Sequence, residues 1–190
     1  KVFITGSAGF IGYHCSLRLL RSGNEVFSID NYDPYYDVNL KKNRIKKLKK
    51  YKKFHFQKID LKQKKKINHI IKYNNIKIII HLAAQAGVLL SIKNPKKYFN
   101  SNLEGFLNII EISKENNLSH LLFASSSSVY GDNTSFPLSE NNFVDKPKSF
   151  YAATKLSNEM MAYSFSDVYK LPITAMRFFT VYGPYGRPDM

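Results

Sequence analysis

Cysteine is nearly absent from this 190-residue chain. The one thiol, Cys15, can neither close an internal disulfide nor assemble a thiolate metal site. Cys15 falls within a helical pattern, where it reads as a small buried hydrophobe. No metal is expected, and a reducing, cytoplasmic setting fits. Apolar runs approaching about 18 residues are also missing, so no membrane-spanning helix is expected. No basic, apolar and small-residue regions in signal-peptide order open the chain; Lys1-Val2-Phe3-Ile4-Thr5 reads as a strand from the first residue. There is no initiator Met, and Met190 follows a loop-like stretch, so both ends read as cut and the chain as a piece of a longer protein. No internal repeat is found.

Acidic residues are scarce in one place. The chain carries 29 Lys and Arg against 14 Asp and Glu, a net charge of +15. Fourteen of those cations lie between Lys41 and Lys66, where Asp60 is the only acid, so this segment holds +13 and the remainder only +2. The basicity is therefore a patch. Such a patch is a solvated lysine face or a contact for nucleic acid or an anionic membrane surface. Charge alone carries little specificity, so the solvated face is the expectation, with neither nucleic acid nor membrane as partner.

What is present is a 44% apolar, 14% aromatic composition, enough for one sizeable domain with a core. Apolar runs alternate with helical patterns along the chain. Strands are expected at Val2–Thr5, Glu25–Ile29, Phe54–Ile59, Ile76–His81, Leu118–Ala124 and Ile173–Phe178. Helices are expected at Phe10–Arg21, over the basic stretch to about Lys50, and at Leu61–Tyr73, Pro95–Asn116 and Ser149–Tyr169. Strands that are apolar throughout, separated by helices, predict an α/β fold with a parallel sheet covered on both faces. Right-handed crossovers make it doubly wound, a Rossmann arrangement. Residues 1–178 are read as a dinucleotide-binding domain and 179–190 as the start of a smaller substrate-binding region that is mostly missing.

Gly6-Ser7-Ala8-Gly9-Phe10-Ile11-Gly12 has the spacing Gly-x-x-Gly-x-x-Gly, follows a strand and opens a helix. In that setting Gly6 permits a tight turn, Gly9 lets backbone approach a pyrophosphate, and Gly12 allows close helix–strand packing. The helix N-terminus offers free N–H groups and a favourable dipole to phosphates. Asp30, 18 residues after Gly12, is placed to accept from ribose hydroxyls and to repel a 2′-phosphate, which favours NAD over NADP. Asp60 and Leu61 follow the third strand and are placed to meet the adenine; Asp60 also suits a helix cap.

Tyr151-Ala152-Ala153-Thr154-Lys155 sets Tyr and Lys four residues apart on one helix face. A lysine ammonium and a positive nicotinamide would both lower the phenol pKa, making Tyr151 a base near neutral pH. Ser125-Ser126-Ser127-Ser128 follows the fifth strand, where strand ends line the ligand crevice.

Taken together, Thr5-Gly6-x-x-Gly9-x-x-Gly12, the serine-rich strand end and Tyr151-x-x-x-Lys155 resemble the extended short-chain dehydrogenase/reductase family, the NAD-dependent epimerases and dehydratases. Asp30-Asn31 with Tyr35-Tyr36-Asp37-Val38-Asn39-Leu40-Lys41 is similar to UDP-glucuronate 4-epimerases. So are His81-Leu82-Ala83-Ala84-Gln85-Ala86-Gly87-Val88, Phe178-Phe179-Thr180-Val181-Tyr182-Gly183-Pro184 and Gly186-Arg187-Pro188-Asp189-Met190. UDP-galactose 4-epimerases usually carry Asn where Thr180 stands. The chain departs from the uronate epimerases at Leu89, where they usually have Arg.

The resemblance implies catalysis by Tyr151, Lys155 and Ser126, with Ser127 and Ser128 as stand-ins for the serine. It implies cofactor contacts from Gly6, Ser7, Ala8, Gly9, Phe10, Ile11, Gly12, Asp30, Asn31, Asp60 and Leu61. Further cofactor contacts are implied for Leu82, Ala83, Ala84, Gln85, Ser125, Tyr151, Lys155, Phe178 and Val181. Substrate contacts are implied for Gly87, Val88, Ser126, Ser127, Ser128, Tyr151, Thr180 and Arg187; Thr180 and Arg187 can hold a carboxylate, or Arg187 the UDP phosphates. The implied reaction is 4-epimerisation of a UDP-sugar, foremost UDP-glucuronate to UDP-galacturonate, through a 4-keto intermediate in surface-polysaccharide supply. The alternatives are UDP-N-acetylglucosamine or UDP-glucose epimerisation, a nucleotide-sugar dehydratase or decarboxylase, and a non-catalytic NAD(H)-binding protein. Dehydratases and decarboxylases of this family place acids before Val-Tyr-Gly, where this chain has Ser127-Ser128. A homodimer is implied through the helices 95–116 and 149–169, with Ile109, Ile110, Met160 and Met161 as contacts or core.

Overall fold

The computed structural model describes residues 1–133 and 136–188; Asp189 and Met190, part of the family likeness, lie outside the described residues. The chain runs β1 (Val2–Thr5), α1 (Phe10–Arg21), β2 (Val26–Asp30), α2 (Val38–Leu48), β3 (Phe54–Lys58), α3 (Lys64–Tyr73) and β4 (Ile78–His81). It continues through α4 (Val88–Lys93), α5 (Pro95–Tyr98), a π-helical turn (Phe99–Glu104), α6 (Gly105–Glu115) and β5 (His120–Ala124). A 3-10 turn (Ser127–Tyr130), α7 (Phe150–Tyr169) and β6 (Ile173–Met176) complete it.

The six strands form one parallel sheet in the order β3-β2-β1-β4-β5-β6. Every residue of β1 is buried, as expected of a β-branched and aromatic strand with helices on both faces. Period-2 alternation divides its side chains between two layers. Phe3 joins Phe27, Ile29, Ile71, Ile79, Phe106, Ile109 and Phe123 on one face, while Val2 and Ile4 join Val26, Ile45, Leu48 and Tyr13 on the other. Phe3 is fully buried, and truncating such a ring to Ala costs about 3–5 kcal/mol.

Side-chain caps set two of the helix starts. Asp37 accepts from the Asn39 N–H at 2.8 Å to begin α2, and Ser149 accepts from the Ala152 N–H at 3.0 Å to begin α7. Each satisfies one of the free donors of a first turn. Among the described residues no helix is long and apolar enough to cross a membrane.

Three expectations need correction, and Ile109 and Ile110, read as contacts or core, resolve to core. The helix anticipated over Pro95–Asn116 is broken by the π-helical turn, and α4 precedes it unannounced. Ile109 and Ile110 are fully buried core residues and no contact surface; Met160 is exposed, and Met161 packs partly buried against the core. Cys15 is only partly buried, since it lies at the margin of its helix's packed face. The basic patch is smaller than its charge count, because Lys41 and Arg44 are buried with Ile45 and Leu48 on the inner face of α2. The remaining lysines around β3 are mostly exposed, and β3 is an edge strand. Lysines there hinder pairing with a foreign strand.

Candidate active site

A cleft of about 490 Å³ opens beyond the carboxyl ends of the strands, where the strand order reverses between β1 and β4. That is the ligand crevice of a doubly wound sheet.

Its floor is the glycine loop. Gly6 has φ +76°, and a Cβ there would stand 2.7 Å from the Ala83 nitrogen; a Cβ at Gly12 would run into the Gly6 carbonyl. Only glycines let β1, β4 and α1 meet so closely. Gly6, Gly9, Phe10, Ile11 and Gly12 line the cleft. Ser7 and Ala8 do not; both are fully buried behind the loop, so side-chain contact with a ligand is closed to them. Gly9 caps α1 without a side-chain hydrogen bond, which leaves the first-turn N–H groups open toward the cleft.

One end of the cleft lies at the ends of β2 and β3. Asp30 accepts from the Ala8 N–H at 3.1 Å and the Tyr32 N–H at 2.8 Å. Burial raises its pKa, and those two donors oppose the rise. Asn31, Asp60 and Leu61 line the same end, with Asn31 Nδ2 donating to Asp60 at 2.8 Å. Asp33, Tyr35, Tyr36 and Lys41 border it too, and sequence reasoning did not assign them. Lys41 Nζ donates to the Asp33 carbonyl at 2.6 Å.

Leu82, Ala83, Ala84 and Gln85 form the wall beyond β4. Thr5 Oγ1 accepts from the Leu82 and Ala83 N–H groups at 3.2 and 3.1 Å and lies 2.8 Å from His81 Nδ1. With both N–H groups donating to it, the Thr5 hydroxyl sends its own proton to His81. Burial pushes His81 down to about 3, so the ring is neutral there. Asn102, on the π-helical turn, bonds both polar groups of the Gln85 backbone at 2.8 and 3.1 Å and also Thr154 on α7 at 3.1 Å. The extra residue of the π turn serves this inward amide.

The other end carries the chemistry. Tyr151 and Lys155 lie one turn apart on α7, and both face the cleft. Tyr151 shares the cleft lining with Ser126. Lys155 is 3% exposed; its Nζ donates to the Ala124 carbonyl at 2.7 Å and stands 5.8 Å from the centre of the Tyr151 ring. Burial pushes Lys155 down to about 8. Burial raises the Tyr151 phenol, while the Ser126 hydrogen bond and the Arg187 charge lower it. All four serines line the cleft. Ser126 is the one whose hydroxyl lowers the Tyr151 pKa, and it caps the 3-10 turn by accepting from the Ser128 N–H at 3.2 Å. The Ser125 hydroxyl is held by Glu159.

Gly87, Val88, Phe178, Thr180, Val181 and Arg187 complete this end. Arg187 lies 5.3 Å from the Tyr35 ring centre. Leu89 is 78% exposed and does not border the cleft. The acids lining the cleft are Asp30, Asp33 and Asp60; Asp30 ends β2, Asp60 follows β3, and Asp33 is paired with Lys97 at 2.9 Å. Among the described residues no cluster suited to a metal ion occurs.

Two supporting groups escaped sequence reasoning. Glu159, one turn beyond Lys155, accepts from Arg177 at 3.0 and 2.8 Å and from the Ser125 hydroxyl. Arg44 donates to the Ala8 carbonyl inside the glycine loop. The signal for Arg44 was its helical phase with Ile45 and Leu48; the Glu159 pair depends on a contact across α7 and β6 that no local pattern marks.

Comparisons agree with this geometry. The family model described as GDP-mannose 4,6-dehydratase matches residues 3–190. The Staphylococcus aureus protein CapI is 48% identical over 190 residues, covering 100% of this chain and 57% of that protein. UDP-glucuronate 4-epimerase 6 of Arabidopsis thaliana is 46% identical over 191 residues, covering 100% of this chain and 41% of its own length. The chain therefore spans about half the length of these curated relatives. The crystal structure of UDP-glucuronic acid 4-epimerase from Bacillus cereus in complex with UDP-glucuronic acid and NAD superposes with a TM-score of 0.93 at 34% identity. It covers 100% of this chain and 60% of the crystallised one.

Proposed function

This chain belongs to the GDP-mannose 4,6-dehydratase family of NAD-dependent epimerases and dehydratases, and from that premise we propose that the protein it comes from is an NAD-dependent UDP-sugar 4-epimerase acting foremost on UDP-glucuronate. The observation that carries the reaction type is a cleft lined by Tyr151, Lys155 and Ser126 in which Ser127 and Ser128, and no acid, stand immediately before Val129-Tyr130-Gly131. A base is available to take a hydroxyl proton, and no general acid stands by to drive elimination.

The cleft fits NAD. The glycine loop admits no Cβ at Gly6 or Gly12, the α1 N-terminus is open to a diphosphate, and Asp30 and Asn31 suit the adenosine ribose. Relatives crystallised with NAD support the same cofactor. Bound NAD⁺ would accept a hydride from sugar carbon 4 and give it back. Tyr151 takes the 4-hydroxyl proton as the 4-keto sugar forms and returns it afterwards. Ser126, in the same cleft lining, offers its hydroxyl to the same oxygen. Lys155 keeps a positive charge beneath the phenol, which favours the phenolate. Gly87, Val88 and Thr180 line the cleft and are the residues assigned to the sugar.

The uronate reading is supported by Arg187, a cation at the catalytic end whose charge reaches Tyr151. The departure at Leu89 bears less on it, since Leu89 does not border the cleft. We place the dinucleotide-binding unit at 1–178 and the start of the sugar-binding part at 179–190. A cytoplasmic homodimer is included in the reading, because the paired helices leave Leu107, Met160 and Tyr163 exposed. The test is incubation of the full-length protein with UDP-glucuronate, UDP-glucose and UDP-N-acetylglucosamine. Galacturonate formation is expected; conversion of neutral sugars alone would remove the uronate, and loss of carbon dioxide would replace epimerisation with decarboxylation.

A further inference from the structure

Arg44 is fully buried, and no carboxylate among the described residues pairs with it. Its acceptors among the described residues are all neutral. Nη1 donates to the Ala8 carbonyl at 2.8 Å and the Tyr36 hydroxyl at 2.6 Å; Nη2 donates to the carbonyls of Tyr185 at 2.6 Å and Gly186 at 3.3 Å. The buried Nε has no partner at all. A buried guanidinium without a counter-ion is costly, and neutral oxygens offset only part of that cost.

The acceptors say where the missing negative charge belongs. Ala8 lies in the glycine loop whose front lines the cleft, while Tyr185 and Gly186 immediately precede Arg187. Arg44 itself does not line the cleft. It stands behind the surface that suits a diphosphate and grips both the loop and the segment bearing the cation at the catalytic end. Only a forked cation can hold both at once, which a lysine cannot reproduce.

We propose that Arg44 is a positioning residue of the nucleotide site: its buried charge is balanced by the diphosphate that occupies the cleft, and its fork fixes the glycine loop against the Tyr185–Arg187 segment. This rests on the dinucleotide reading above. It makes Arg44 sensitive to the ligand's charge and indifferent to the rest of the ligand.

The test compares ADP-ribose, which carries the diphosphate, with adenosine, which does not, as ligands of the cofactor-free full-length protein by calorimetry. Arg44→Met should weaken ADP-ribose by roughly tenfold, the scale of a charge attraction across a loop, and leave adenosine within about twofold. Arg44→Gln, which keeps a donor for the Ala8 carbonyl, should show the same selective loss, and it stands in should the Met variant fail to fold. Equal weakening of both ligands, or wild-type affinity for ADP-ribose in a variant that merely melts lower, would overturn the proposal. Failure of the unaltered protein to bind ADP-ribose would instead sink the dinucleotide reading, and Arg44's role with it.

Discussion

The Lys155 ammonium donates to the Ala124 carbonyl at 2.7 Å, tying the middle of α7 to the last residue of β5. Burial holds this lysine down to about 8 from an ordinary 10.5. Between those pH values the unfolded chain keeps a proton that the folded chain has released, so folding gains stability as pH rises through the window. The shift corresponds to about 3 kcal/mol. Denaturant titrations of the wild type and Lys155→Met at pH 7 and pH 10.5 should differ by that order, the wild type gaining relative to the variant. A pH-independent difference would contradict the buried ammonium.

Tyr151→Phe removes the phenol while keeping the ring against Tyr98. Turnover of UDP-glucuronate by the full-length enzyme should fall by about 100- to 10,000-fold. NAD should remain bound, as measured by the cofactor released on denaturation. Retained turnover would take Tyr151 out of its assigned role.

The Glu159–Arg177 pair is largely buried, with side chains 8% and 15% exposed. Glu159→Gln keeps the shape but strands the guanidinium, at a cost of about 3 kcal/mol. The double change Glu159→Met with Arg177→Met should recover most of that loss. Because Glu159 also holds Ser125 beside Ser126, kcat should drop in the single variant with little change in KM. A stability loss with an unaltered kcat would make the pair purely structural.

If α6 and α7 form the dimer face, the exposed Tyr163 and Met160 of α7 lie in it. Tyr163→Glu combined with Met160→Glu would bury unpaired charge in each subunit. Sedimentation should then shift from dimer to monomer while each subunit keeps its fold. A wild type that already sediments as a monomer would dismiss the face.

Around β3 the aromatic rings of Tyr51 and Phe56 are packed against the core beneath the exposed lysines. A nucleic-acid site would need stacking platforms as well as charge. Filter binding of RNA at physiological salt with micromolar protein should show no retention, and retention would reopen a nucleic-acid role.

Much of this architecture is written locally. The glycine spacing, the strand before it and the Tyr–Lys interval specify one end of the cleft and its floor, because each feature is complete within a few residues. The serine assignment needed three dimensions: four consecutive hydroxyls look alike in sequence, and only the turn after β5 sends Ser126 to Tyr151 and Ser125 to Glu159. Arg44 was hidden by composition, since a charge count treats it as one more member of a lysine run. Its position on the face of Ile45 and Leu48 was the readable cue. The π-helical turn had none, and its Asn102 bonds the backbone of Gln85, 17 residues away.

The place of β1 has a consequence for how the chain is made. Val2 pairs with Val26 on one side and Ile78 on the other. Synthesis therefore delivers the first partner 24 residues after Val2 and the second only 76 residues after it. Until then one edge of Val2–Thr5, the most apolar ribbon in the sheet, stays open to any strand that passes. Parallel pairing across such sequence distances is intrinsically slow, so the growing chain depends on shielding of β1 during the interval.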